Sequence, residues 1–151
     1  MQMAVIEYAR NVKGMSKANS TEMDPECKVA IIDLMESQKN ITDKGGTMRL
    51  GAWDCVLASD SMLNQVYSTQ EISERHRHRY EFNDSYREQL FDNDFKIAGW
   101  NPETKLVEII ENKNHAWFVG VQFHPEYKST VSNPHPLFAA FVGAALKHSR
   151  T

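Results

Sequence analysis

The stretch Trp117-Phe118-Val119-Gly120-Val121-Gln122-Phe123-His124-Pro125-Glu126 decides the fold. Its first seven residues are almost wholly apolar, as in a strand covered on both faces. Strands of that kind belong to open α/β sheets, whose sites lie outside the carboxyl ends of the strands. A histidine stands at that end here. Pro125 holds the backbone extended and keeps His124 out of helix. His124 and Glu126, two apart, then project to the same side. The carboxylate can accept a hydrogen bond from one imidazole nitrogen, which fixes the tautomer and stabilises the imidazolium. The other nitrogen is left to take a proton from a nucleophile. The same residues also suit a purely structural His–Glu pair at a strand end.

Working outward, strand and helix signals alternate. Lys28 to Leu34 reads as a buried strand, Gly45-Gly46 as a turn and Thr47 to Leu57 as a strand. Ser61 to Tyr67 reads as a short helix capped by Ser59 or Asp60. Arg75 to Phe82 alternates as a strand does, and Asn83 or Asp84 caps a helix through Tyr86, Leu90 and Phe91. Phe95 to Trp100 and Lys105 to Glu111 form an antiparallel pair around the turn Asn101-Pro102-Glu103-Thr104. Asn133-Pro134-His135-Pro136 starts a last helix, Leu137 to Lys147, expected to face inward with Leu137, Phe141 and Ala144-Ala145. No repeat, linker or low-complexity tract interrupts residues 1–151, so one mixed α/β unit is expected.

Residues 1–14 read as a helix whose Met1, Val5, Tyr8 and Val12 follow the spacing of a buried face. Gly14 supplies its stop. No residue caps its start, although the first N–H groups of a helix need partners. Either that end frays into solvent or an N-terminal portion is missing.

The chain has 151 residues, 41% hydrophobic and 25% charged, with a formal charge of -3. That composition excludes a collagen-like or disordered chain, and the charge does not mark an overall binder of nucleic acid or anionic membrane. No apolar run approaches the ~20 residues of a membrane span, and without a charged n-region followed by an apolar h-region a signal peptide is not expected. The two cysteines, Cys27 and Cys55, are too few for a disulfide scaffold, so the cytoplasm is the expected compartment.

Further candidates for chemistry are few. In Glu74-Arg75-His76-Arg77-His78-Arg79-Tyr80 the three arginines share one face of an extended chain, and His76, His78 and Tyr80 share the other. The arginines suit an anionic substrate, RNA or neighbouring acids. His76-x-His78 lacks the companions of a metal site. Gly45-Gly46 lacks the pattern of a phosphate loop. Asn19-Ser20-Thr21-Glu22 suits a loop or a substrate contact. Neither cysteine lies in a tight Gly-flanked turn, and Cys55 reads as a small buried residue.

His124-Pro125-Glu126 after a buried strand resembles the His–Glu end of class I glutamine amidotransferases, whose triad is Cys–His–Glu. More narrowly, the chain is similar to the glutaminase domain of the CTP synthase family. The likeness is carried by Ala18-Asn19-Ser20-Thr21-Glu22, Thr42 through Gly51, Glu71 through Asn83, Trp117 through Glu126, and Pro134-His135-Pro136-Leu137-Phe138. It spans essentially the whole chain. It implies a flavodoxin-like open α/β sheet with flanking helices whose N-terminal strands are missing. It also implies that His124 is the general base and acid, that Glu126 orients it, and that Gln2, Glu22 and Arg79 contact glutamine. Arg79 would take the α-carboxylate and Glu22 the α-ammonium.

In that family the nucleophile lies in Gly-x-Cys-x-Gly-Met-Gln, and Met1-Gln2 match its last two residues. The resemblance thus puts the cysteine ahead of Met1 and makes the chain the C-terminal portion of a glutaminase domain, inactive alone. UTP, ATP and magnesium would belong to a separate amination domain, leaving no cofactor or metal in this chain. The expected partners are glutamine, that amination domain and further copies in a homo-oligomer, a tetramer in the full-length family. Nucleic acid and membrane are not expected as partners. A non-catalytic glutamine-binding or regulatory relative is the alternative.

Overall fold

The computed structural model describes residues 1–34 and 48–151. The expected Gly45-Gly46 turn, and residues 42–47 of the family-like stretch, lie outside the described residues.

Helix α1 (Gln2–Asn11) packs Val5, Ile6 and Ala9 inward. Val12, expected on the buried face, is 62% exposed. The helix ends before it, because Val12 already caps the turn and Gly14 takes φ +71 beyond. Strand β1 (Ala18–Ser20) runs parallel to β2 (Val29–Leu34). Strand β3 (Arg49–Leu57) follows the undescribed segment. Next comes α2 (Met62–Tyr67), capped by the side chain of Ser61, which accepts from the Asn64 N–H. Ser59 and Asp60 do not cap it. Asp60 instead pairs with Lys96 at 2.8 Å. The carboxylate of Glu111, buried in the sheet, accepts from the N–H groups of Met62 and Leu63, meeting the donors and the positive end of the helix.

The expected strand from Arg75 to Phe82 is two strands. β4 (Glu71–His78) pairs with β3, and β5 (Tyr80–Phe82) pairs with β2. Arg79 is the joint between two sheets. Asn83 caps a short 3-10 turn, Asp84–Tyr86, that leads into α3 (Arg87–Leu90). β6 (Phe95–Trp100) and β7 (Val107–Asn112) form the expected antiparallel pair. β7 begins two residues later than expected because Lys105 adopts φ +61 in the turn. Of the apolar stretch that decides the fold, only Val119–Val121 forms ladder pairs, as β8. The last helix, α4, covers Pro136–His148.

The strand order is β1-β2-β5 in one sheet and β4-β3-β6-β7-β8 in the other. Among the described residues only β1–β2 is a parallel pair. The second sheet curls until the chain leaving β8 meets β4, its far edge, where the His124 N–H donates to the Arg75 carbonyl at 2.8 Å. One core lies under α1, with Ile31, Ile32, Phe82, Phe95 and Ile110. The other gathers Cys55, Leu57, Leu63, Ile109, Phe123 and Leu137.

Helix α4 departs from its expected packing. Leu137 is buried, but Phe141 is 54% exposed, and Phe138, Val142 and Leu146 are exposed too. Trp117, Val119 and Val121 border the same surface in an open groove. Such a patch beside the edge strand β8 invites association. Expressed as these 151 residues, the chain is therefore expected to self-associate at micromolar concentration in light scattering. A monodisperse monomer with a sharp thermal transition would contradict this.

Candidate active site

The segment after β8 is anchored on both sides. The Gln122 N–H donates to the Glu108 carbonyl of β7, and the His124 N–H reaches β4. His124 is thereby held extended (φ -110, ψ 92) at the entry to the 3-10 turn Pro125–Lys128. Lys128 closes that turn onto β4 by donating to the Ser73 carbonyl. In this frame His124 Nδ1 lies 2.7 Å from Glu126 Oε1. The carboxylate accepts the Nδ1 proton, so Nε2 presents a lone pair. The imidazole stacks on Tyr127, with ring centroids 5.1 Å apart. Burial works against the charge on Glu126, yet its own backbone N–H and the His124 bond hold the carboxyl below its ordinary range. The pair is open to solvent, with His124 37% and Glu126 55% exposed.

Gln2 from α1, Glu22 from the loop after β1 and Arg79 from the β4–β5 joint line one cavity of about 390 Å³. Met48 and Arg77 line it as well, and both also line a neighbouring hollow that reaches Tyr127. Strand β4 thus connects the two halves of the site: Arg75 holds the backbone of His124, and the same strand delivers Arg79 to the cavity.

The arginine and histidine faces separate largely as expected. Arg75 and Arg77 are exposed and His76 is buried. The histidines are engaged elsewhere, however. His76 Nε2 meets Glu108 Oε2 at 2.7 Å, and His78 Nε2 meets Glu81 Oε1 at 2.6 Å. Among the described residues no group of three His, Cys, Asp or Glu could hold a metal ion, and no helix is long and apolar enough to cross a membrane. Cys55 is buried, and burial pushes its thiol well above the ordinary range, reinforced by the charges of Glu108 and Glu74. Cys27 sits in the loop before β2, and its thiol too is raised by desolvation.

Sequence reasoning missed the polar framework behind the site. Arg49, 3% exposed, bonds Glu81 at 3.1 Å and Glu108 at 2.7 Å, and its guanidinium lies 4.5 Å from the centroid of the Trp53 ring. His76 faces the Glu74 carbonyl with Nδ1 and Glu108 with Nε2. Glu74 accepts from Tyr67 and from His135, whose other nitrogen caps α4. The available signal was the pair of acids inside the apolar run Val107-Glu108-Ile109-Ile110-Glu111.

Comparison with known proteins gives this arrangement its context. The family described as glutamine amidotransferase class-I matches residues 1–144. The CTP synthase of Christiangramia forsetii is 64% identical over 99% of this chain, and that of Flavobacterium psychrophilum 60% identical over 98%. The chain spans only 27% and 28% of the lengths of those two relatives. Among solved structures, the glutaminase domain of Trypanosoma brucei CTPS with bound acivicin superposes with a TM-score of 0.89 at 39% identity, covering 97% of this chain and 57% of that one. The chain belongs to the glutamine amidotransferase class-I family.

Proposed function

We propose that this chain is the glutamine-holding, acid–base portion of a CTP synthase glutaminase domain. The observation that carries the reading is the meeting of Gln2, Glu22 and Arg79, remote in sequence, around one cavity that shares Arg77 and Met48 with a hollow lined by Tyr127, the ring on which His124 stacks. The guanidinium of Arg79 suits the α-carboxylate of glutamine in bidentate fashion, and Glu22 suits the α-ammonium by charge.

The nucleophile in this reading is the family's cysteine, ahead of Met1-Gln2, since a buried thiol such as Cys55 is unsuited to thiolate formation. His124 Nε2 takes the thiol proton as sulfur attacks the amide carbon, and returns it to the departing ammonia. The resulting thioester is hydrolysed by a water that His124 deprotonates in turn, giving glutamate. Glu126 stabilises the imidazolium in both steps. The ammonia passes to the amination domain, where phosphorylated UTP becomes CTP. ATP and magnesium belong to that domain. The reading includes a homo-oligomeric, cytoplasmic enzyme.

The test is made on the full-length protein that carries this chain. It should release glutamate from glutamine and form CTP from UTP, ATP and glutamine, and an enzyme without glutamine hydrolysis would refute the reading. Substituting Arg79→Met should raise the KM for glutamine roughly 10–150-fold, the range for losing hydrogen bonds to a charged group. An unchanged KM would remove Arg79 from the site.

A further inference from the structure

Arg79 lies between strands of two different sheets. Its neighbours are fixed by side chains. Glu81 Oε1 accepts from His78 Nε2 at 2.6 Å, closing a link across Arg79-Tyr80. Gln122 Nε2 donates to the Tyr80 carbonyl at 2.9 Å and to Glu81 Oε2 at 3.1 Å. Gln2 Nε2 donates to the same carbonyl at 2.7 Å and lies 3.4 Å from Gln122 Oε1. Arg49 holds Glu81 from below. Glu81 is 2% and Gln122 7% exposed, so these bonds form out of water, where geometry is enforced most strongly.

We propose that Glu81 and Gln122 are positioning residues for Arg79. They lock residues 78–81 into the bend that turns Arg79 toward Gln2 and Glu22. The inference rests on Arg79 being the partner of the glutamine carboxylate.

Gln122→Met keeps the side chain's length and loses both donors. In the full-length protein it should raise the KM for glutamine about tenfold, as expected for stranding buried polar partners. The kcat should stay within about twofold, and CTP formation from supplied ammonia should be unchanged. The isosteric Gln122→Glu, which sets a carboxylate against Glu81 and the Tyr80 carbonyl, should raise KM at least as much. Combined with Arg79→Lys, Gln122→Met should add less than its separate effect, because both act through one contact.

An unmoved KM, a fall in kcat alone, or full additivity with Arg79→Lys would overturn the inference while leaving the glutaminase reading intact. Loss of folded protein in both Gln122 variants would overturn it too, by assigning Gln122 to the scaffold. An unsubstituted protein that does not hydrolyse glutamine would overturn both readings.

Discussion

Replacing His124 with alanine in the full-length protein is expected to lower glutamine hydrolysis by a factor of about 10⁴ to 10⁶, the range for losing the base of a nucleophile–base–acid triad. CTP formation from supplied ammonia should survive, since that chemistry belongs to the other domain. The expectation follows from the 2.7 Å bond that commits His124 Nδ1 to Glu126 and leaves Nε2 as the acceptor. Glu126→Gln should cost less, because an amide oxygen still accepts the Nδ1 proton but no longer offsets the imidazolium charge. The carboxyl of Glu126 is held below its ordinary range, so its charge persists above about pH 4.5. An acid limb near neutrality must therefore arise from another group. Steady-state glutamate release measured from pH 5 to 9 decides the matter. A His124→Ala enzyme retaining a tenth of its rate would sink the acid–base role.

The sequence exposed what depends on local chemistry and hid what depends on closure. His124-Pro125-Glu126 reads as an oriented pair from its residue types and spacing, and the structure has the pair at 2.7 Å, although the 3-10 turn Pro125–Lys128 and not an extended chain brings Glu126 to the imidazole. The β6–β7 hairpin is legible from its turn residues. The break at Arg79 is not. Arg75 through Phe82 alternates without interruption, and the switch from β3 to β2 as pairing partner is a tertiary choice made by Gln122, Gln2 and Glu81. Likewise no periodicity reveals that the sheet curls to bring His124 onto Arg75.

The site was legible in halves. Residue types pointed to His124 and Glu126, whereas the choice of Gln2, Glu22 and Arg79 came from family resemblance. Only the fold shows that those three line one cavity. Phe141 illustrates the opposite failure: helical spacing correctly marks an apolar face on α4, but spacing cannot say whether anything covers it.

Arg49→Met is expected to destabilise the fold by about 3–5 kcal/mol, the usual cost of removing one partner from a buried charge cluster. For a domain of this size that corresponds to a fall in Tm of roughly 6–20 °C. The guanidinium is the shared counter-charge of Glu81 and Glu108, both at most 2% exposed. Without it, two carboxylates remain out of water with only two histidines and the Gln122 amide to face them.

The pH dependence separates this cause from simple loss of packing on Trp53. Burial pushes the Glu108 carboxyl up, yet the His76 bond and Arg49 outweigh it and hold it below its ordinary value. A lowered folded-state value contributes stability that is present above about pH 4.5 and is lost as pH falls through that lower value. With Arg49 gone, its charge and hydrogen bond no longer oppose desolvation and the carboxyl must rise, so its contribution shrinks over the same range. The two proteins should therefore differ most in Tm near neutral pH and converge toward pH 4. Packing loss alone predicts a gap that does not depend on pH. Melting both proteins between pH 4 and 8 reads out the difference. A gap under about 2 °C at pH 7, or one that stays constant with pH, would show that the cluster holds its shape without Arg49 as counter-charge.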